Sequence, residues 1–252
     1  MAPVSDLAIV ICHGSYHSPA PYIPLVEALK ANGIEAYCPQ LPTSDLSKLN
    51  VGDVTHPDFD REPPSGGYPQ GEADTEVILT ILRPLKRHSQ SYKRNHGKAR
   101  DSSVASLAFY VGAFVIPVSE SIHSFLQPKD GSFVTPPFMR FHKHGEAGLG
   151  TMVEPEKFLF NGLETSEAKK WAASLAASPV LTTKLTNNAY AALPCAYLVL
   201  EGDLTLPKEY QEGMIAAQSQ KTGEFSVYRC SAGHSPHLTW TQGVVGVVQS
   251  FA

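Results

Sequence analysis

Six consecutive apolar residues, Leu7–Cys12, stop abruptly at His13-Gly14. A strand that is apolar at every position has to be covered on both faces, as strands inside a parallel sheet are. The residues after Gly14 fit that placement. Ile23, Leu25, Val26 and Leu29 recur at helical spacing, Gly33 supplies a stop signal, and Ile34–Pro39 reads as a second strand. Strand, helix and strand with short connections make a right-handed parallel crossover. An α/β architecture is therefore expected.

Three further apolar runs, Val104–Phe114, Pro194–Asp203 and Phe225–Cys230, predict the remaining strands of a five-stranded, mainly parallel sheet. A helix is expected over Ala73–Arg87, with Val77, Ile78, Ile81, Leu82 and Leu85 on its apolar face, and a closing helix over Val244–Phe251. Leu41–Gly71 is rich in Pro, Gly, Ser and Asp without periodicity and reads as a long surface loop. Between Ser119 and Tyr190 the composition changes: residues 133–150 read as irregular, and the stretches after them read as short helices. A block lying between two core strands must leave the sheet at one end, where lids and caps are built. The expected division is a core of residues 1–118 and 191–252 with a helical lid over residues 119–190.

Composition narrows the partners. With 20 basic against 24 acidic side chains the net charge is −4, which gives no electrostatic reason to expect nucleic acid. The one basic cluster, from Arg83 to Arg100, reads as a solvated face. No apolar run reaches the roughly 18 residues that a membrane span needs, and Asp6, without a basic region, precedes the first apolar run. Cys12, Cys38, Cys195 and Cys230 lie in or beside predicted strands without metal-binding spacing, as buried reduced thiols of a cytoplasmic protein would. His142 and His144 stand two apart in a loop with no accompanying carboxylate pattern, so no metal is expected. No cofactor is expected either.

Three short motifs carry the chemistry. "HGSYHSP" comes after the first strand, "EGDLTLP" after a later one, and "AGHSPHL" after the last. In this order they resemble the α/β-hydrolase superfamily, and in particular its small fungal and bacterial esterase-like members related in pattern to plant methylesterases and hydroxynitrile lyases. The likeness covers Leu7–Gln40 and Val104–Ala252. It implies an α/β-hydrolase fold, a small-molecule substrate with an apolar ester, lactone or related carbonyl, and a setting in fungal secondary metabolism. It also implies roles: Asp203 as the acid that orients an imidazole, His234 as general base and acid, and the backbone N–H groups around Ser15 and Tyr16 as half of an oxyanion hole. Tyr16 and His17 would face the pocket, with His237 at its rim. Of the lid aromatics, Phe125, Phe138, Phe141 and Trp171 are expected to face either the cavity or the lid's own core, with Trp171, at helical spacing from Leu175, favouring the core.

One part of the pattern is missing. The superfamily's nucleophile sits in a G-x-S-x-G-like turn between a buried strand and a helix, and no G-x-S-x-G occurs in this chain. Leu85 is followed directly by a polar, basic stretch in which Ser89 and Ser91 lack the flanking glycines that a strained elbow requires. Both serines read as surface residues. A strand, a turn and a helix, roughly 20–30 residues by ordinary element lengths, are absent. Two outcomes are open. Val104–Val111 could move beside Leu7–Cys12 and repair the sheet, leaving a non-hydrolytic pocket protein, cyclase or lyase. Alternatively the chain is a shortened esterase whose sheet stays open.

Overall fold

At the centre of the molecule lies a strand with no exposed position. The computed structural model describes residues 7–95, 106–130, 132 and 134–252, with the backbone alone for 86–95. In chain order the core begins with β1 (Ala8–Val10), α1 (Ile23–Ala31), β2 (Glu35–Tyr37), α2 (Gly71–Asn95) and β3 (Ala108–Val111). The inserted block holds α3 (Ile122–Leu126), β4 (Met139–Phe141), β5 (Leu149–Met152), α4 (Pro155–Phe158), α5 (Thr165–Ala172), β6 (Ser178–Pro179) and α6 (Ala189–Ala192). The core resumes with β7 (Cys195–Leu200), α7 (Lys208–Thr222), β8 (Ser226–Cys230), α8 (Pro236–Thr239) and α9 (Thr241–Phe251).

The central strand is β7, buried at all six positions and paired in parallel with β3 on one side and β8 on the other. Its alternation separates two cores. Leu198 and Leu200 point to α1 and α9, where they meet Leu25, Leu29, Val244 and Val245. Tyr197 and Val199 point the other way and pack on Met214 and Ile215 of α7 and on Phe225. Each such aliphatic side chain contributes about 1.5–3 kcal/mol when fully buried, so β7 and its two helical layers anchor the fold.

Several expectations need correction. All five core strands are present and parallel, but they do not form one sheet: among the described residues β1 pairs with β2 alone, and β3, β7 and β8 form a separate ladder. Cys12, two residues past the end of β1, is exposed and Cys38 is half-buried, whereas Cys195 and Cys230 are buried as expected. Helix α2 begins at Gly71 and its backbone continues to Asn95, past the expected end and through Pro84. Helix α7 was not legible in the sequence, because its buried face carries Gln211 and Gln218 beside only Met214 and Ile215.

The block over residues 119–190 is also less helical than its composition suggests. Segments read as irregular or helical instead contribute β4, β5 and β6 to a small antiparallel sheet. The supposed surface loop after β2 is partly internal: Leu49, Val51 and Tyr68 are buried against Leu149 and Ala177. Asp74 ties that loop to α2 by accepting from the Thr43 N–H at 3.1 Å and the Thr43 hydroxyl at 2.7 Å. Aperiodic sequences hide such packing because no spacing marks their buried positions.

Candidate active site

Strand β7 ends at Leu200, and the turn after it delivers Asp203 to the edge of the ladder. Gln211, fully buried in α7, caps that edge: its amide oxygen accepts from the Leu200 N–H at 3.0 Å, and its amide nitrogen donates to the carbonyls of Leu200 at 3.2 Å and Leu206 at 2.7 Å. The Asp203 carboxylate is buried, and its Oδ1 accepts from the Thr205 and Leu206 N–H groups at 2.8 and 2.9 Å. Its Oδ2 faces His234 Nδ1 at 2.8 Å. Three converging donors compensate the desolvation of the carboxylate and hold it in one orientation. With Nδ1–H given to Asp203, Nε2 of His234 carries the lone pair, which is the tautomer a general base needs.

Two features missed by sequence reasoning fix this pair. Gly112, just after β3, has φ +50°, and a Cβ there would lie 2.5 Å from Leu200 Cδ1 and 3.2 Å from Asp203 Oδ2. Asn161 reaches over from the inserted block, donating to the Gly202 carbonyl at 2.9 Å, and its side-chain amide occupies the space a Cβ on Gly233 would need. It thereby touches both the acid-bearing and the histidine-bearing turns. Single glycines and a lone Asn carry no periodic signal, although the "GD" and "GH" dipeptides do mark the two turns.

The loop after β1 is built from buried polar contacts. His13 is buried and accepts the Leu41 N–H at 3.1 Å through Nε2, so it serves the loop's shape. Tyr16, at φ +69°, donates its N–H to Ser44 Oγ at 3.1 Å, and its carbonyl accepts from the Ala176 N–H at 2.7 Å. The expectation that both the Ser15 and Tyr16 amides face a substrate is therefore corrected: Ser44 already holds the Tyr16 amide, which leaves Ser15. His17 sits among rings, 5.7 Å from Tyr22, 5.9 Å from Phe160 and 6.2 Å from His237. His237 stacks on Tyr22 at 4.1 Å with an interplanar angle of 8°, so it is packed inside and is not a rim residue.

His17 Nδ1 and His237 Nε2 are both buried without a hydrogen-bond partner among the described residues. Burial, reinforced by the nearby His234, pushes the His237 imidazole down to about 3. Burial likewise holds His17 well below the ordinary range, with His237, His234 and His13 adding to the effect. In the unfolded chain both histidines take up protons near pH 6.5, whereas the folded chain resists until far lower pH. Stability should therefore fall as pH drops below about 6.5, by about 1.4 kcal/mol per pH unit for each histidine that stays neutral. Urea denaturation at pH 7.5, 6.5 and 5.5 checks this. His237→Phe, which keeps a ring on Tyr22, should flatten the slope by about one histidine's share, and an unchanged slope would refute this assignment.

The pair opens on a large apolar cavity of about 2000 Å³. Tyr16, His17, His234 and His237 line it, as do Phe138 and Phe141 from the inserted block. Phe125 instead packs beside the core under β7, and Trp171 packs with Phe160 and Ala168 inside the block. The profile of the alpha/beta hydrolase family matches residues 9–247, nearly the whole chain. The chain belongs to that family.

Its relatives share the fold at low identity. The alpha/beta hydrolase nvfD of Aspergillus novofumigatus is 27% identical over 254 residues, covering 97% of this chain and 96% of nvfD. Among solved structures, a pyrethroid hydrolase from Sphingobium faniae JZ-2 superposes with a TM-score of 0.63 at 15% identity, covering 97% of this chain and 96% of its own. A mutant of polyneuridine aldehyde esterase gives 0.65 at 11%, covering 98% and 99%. A methylesterase from Arabidopsis gives 0.62 at 14%, covering 97% and 98%.

In this alpha/beta hydrolase the acid and the histidine are together, yet among the described residues Asp203 is the only hydrogen-bond partner of the His234 ring. Ser15 lines the cavity, and Ser235 Oγ is buried without a partner among the described residues. The side chains of Ser89 and Ser91 lie outside the described residues, although the backbone there is helical. A helix interior is not the strand-to-helix turn that presents a nucleophile. Among the described residues no cluster of His, Cys, Asp and Glu has the arrangement of a metal site, and no helix is long and apolar enough to cross a membrane.

Proposed function

We propose that this protein is an esterase- or lactonase-type hydrolase in design, directed at small apolar carbonyl compounds, whose acid–base half is assembled and whose nucleophile half is not. The observation that carries this reading is the Asp203–His234 pair opening on an apolar cavity. In ester cleavage Nε2 would take the proton of the attacking hydroxyl as the acyl carbon–oxygen bond forms. It would then return that proton to the departing alkoxide. The Ser15 N–H would supply one oxyanion donor, since Ser15 lines the cavity, and the apolar walls would hold the acyl or alcohol portion. The esterase names of the structural neighbours and the fungal source of nvfD support an ester substrate in fungal secondary metabolism. Four free thiols suit a reducing compartment, and we take the cytoplasm as its location.

The second reading, a pocket protein, cyclase or lyase that only shapes and protonates its ligand, rests on the absence of G-x-S-x-G. Two measurements separate them. Calorimetric titration with δ-decalactone tests whether the cavity takes an apolar carbonyl compound. Mass spectrometry after exposure to a fluorophosphonate tests for an activated serine. Binding with labelling at one serine supports a working hydrolase, and binding without labelling supports an acid–base pocket. No binding at millimolar ligand would reject both.

A further inference from the structure

Five polar rings line the cavity from the segment after β1 and the turn into α8: His13, His17, Tyr22, His234 and His237. Three of them have their polar atoms engaged. His13 Nε2 accepts from the Leu41 N–H at 3.1 Å, so its Nδ1 carries the proton and donates to the Gly14 carbonyl at 3.1 Å. The Tyr22 hydroxyl accepts from the Gly14 N–H at 3.3 Å, and His234 Nδ1 is held by Asp203. His17 and His237 differ. Both are buried, and neither ring makes a hydrogen bond among the described residues.

Each of these two rings has an inner and an outer nitrogen. His17 Nδ1 and His237 Nε2 are sealed within the packing, so His17 Nε2 and His237 Nδ1 are the nitrogens left to meet the cavity. Burial keeps both imidazoles neutral, and a neutral ring has a single proton to place. A buried N–H without an acceptor is rarer than a buried acceptor without a donor. The proton therefore sits on the outer nitrogen of each ring, and two N–H donors face an apolar space. A hydrocarbon would leave them unsatisfied, and an ammonium group offers them no lone pair. A carbonyl oxygen accepts two hydrogen bonds and brings little else that is polar. The two rings meet edge to face with centroids 6.2 Å apart, close enough for one oxygen to reach both.

The base stands beside these donors. His234 lies three residues before His237, across the turn into α8, and its Nε2 is bare. It is near enough to both rings to weigh on their protonation. A base together with donors for a carbonyl oxygen is equipped to break a C–H bond, which needs no serine. Neutral imidazoles suit the donor's part, because they polarise a carbonyl without giving up a proton, and fixed donors favour the charge that develops on its oxygen.

We propose that the cavity takes an apolar ketone and enolises it, with His17 Nε2–H and His237 Nδ1–H on the carbonyl oxygen and His234 as the base at the α-carbon. This rests on the acid–base reading of the pocket and assigns that pocket a reaction. His234 Nε2 takes the α-proton, the C–H electron pair becomes the carbon–carbon double bond, and the carbonyl π pair moves onto oxygen. Asp203 balances the imidazolium that forms. The reverse step returns a proton to the α-carbon, and no oxidant, reductant or second substrate enters. Because His234 is partly exposed, that proton exchanges with solvent between the two steps.

The probe is 2-tetralone, an apolar bicyclic ketone with activated α-hydrogens. Proton NMR in deuterated buffer follows the loss of the hydrogens between its carbonyl and its aromatic ring. Exchange with the wild-type chain should exceed that with His234→Ala by about 10²-fold. His237→Phe and His17→Phe should each slow it by at least about tenfold. His237→Asn places an amide nitrogen near Nδ1 and His17→Gln places one near Nε2, so each should recover most of that loss. A packing role alone predicts the reverse, since phenylalanine fills the ring's space and the amides do not. Side-chain nitrogen NMR of the wild-type chain should show His17 protonated at Nε2 and His237 at Nδ1. The opposite tautomers, or phenylalanine variants as active as wild type, overturn the donor assignment. Calorimetry with 2-tetralone separates the remaining failures. No binding at millimolar ketone rejects the pocket reading and this one together, whereas binding with exchange no faster than in His234→Ala rejects enolisation alone.

Discussion

Short aryl esters should be hydrolysed by this chain with kcat/KM of only about 10⁻² to 10² M⁻¹s⁻¹, and His234→Ala should change that rate by less than tenfold. Ordinary enzymes work at about 10⁴–10⁸ M⁻¹s⁻¹, and removing the nucleophile from a serine triad costs about a factor of 10⁶. Such losses are strongly non-additive. Once the attacking hydroxyl is missing, the base has no proton to take from it, and deleting His234 removes little more. Asp203 orients an imidazole that has no serine partner among the described residues. The measurement is a panel of p-nitrophenyl acetate, butyrate and hexanoate with the wild-type chain and with Ser89→Ala, Ser91→Ala and His234→Ala. A wild-type rate above about 10⁴ M⁻¹s⁻¹, abolished by either serine substitution, would show a working nucleophile on α2 and refute the assignment.

Gly112→Ala should destabilise the fold by about 2–5 kcal/mol. A left-handed backbone costs an L-residue about 1–2 kcal/mol, and overpacking a tight core position about 1–3 kcal/mol. Both apply here, because φ is +50° and the added methyl would stand 2.5 Å from Leu200 Cδ1. The same methyl would press on the Asp203 oxygen that faces His234. Gly213→Ala is the internal comparison: it lies inside α7 with nothing within 4 Å of the added carbon. There alanine should raise stability by up to about 1 kcal/mol through helix propensity. Urea titrations of the three proteins decide it. Equal midpoints for wild type and Gly112→Ala would mean that the turn behind Asp203 is free to move.

How much of this molecule is legible in its sequence depends on how each feature is encoded. Five parallel strands, the first crossover and the turns bearing Asp203 and His234 all stand in the sequence as runs and local motifs, because a doubly buried strand must be apolar throughout and a sharp turn needs Gly. The absence of G-x-S-x-G is equally plain. No local pattern could decide whether β3 would close on β1. That depends on whether α1, α2 and α9, packed on β1 and β7, can draw together over a missing strand, and the structure leaves them apart around an open cleft. The burial of His17 and His237, the hold of Gln211 on Leu200 and the reach of Asn161 to the two site turns were likewise invisible. Each joins residues far apart in the chain, and the chain alone records no distance between them. Residue order sets which elements form and which chemical groups each one carries. Which edges pair is settled only in three dimensions, because strand pairing depends on the helices that cover the sheet.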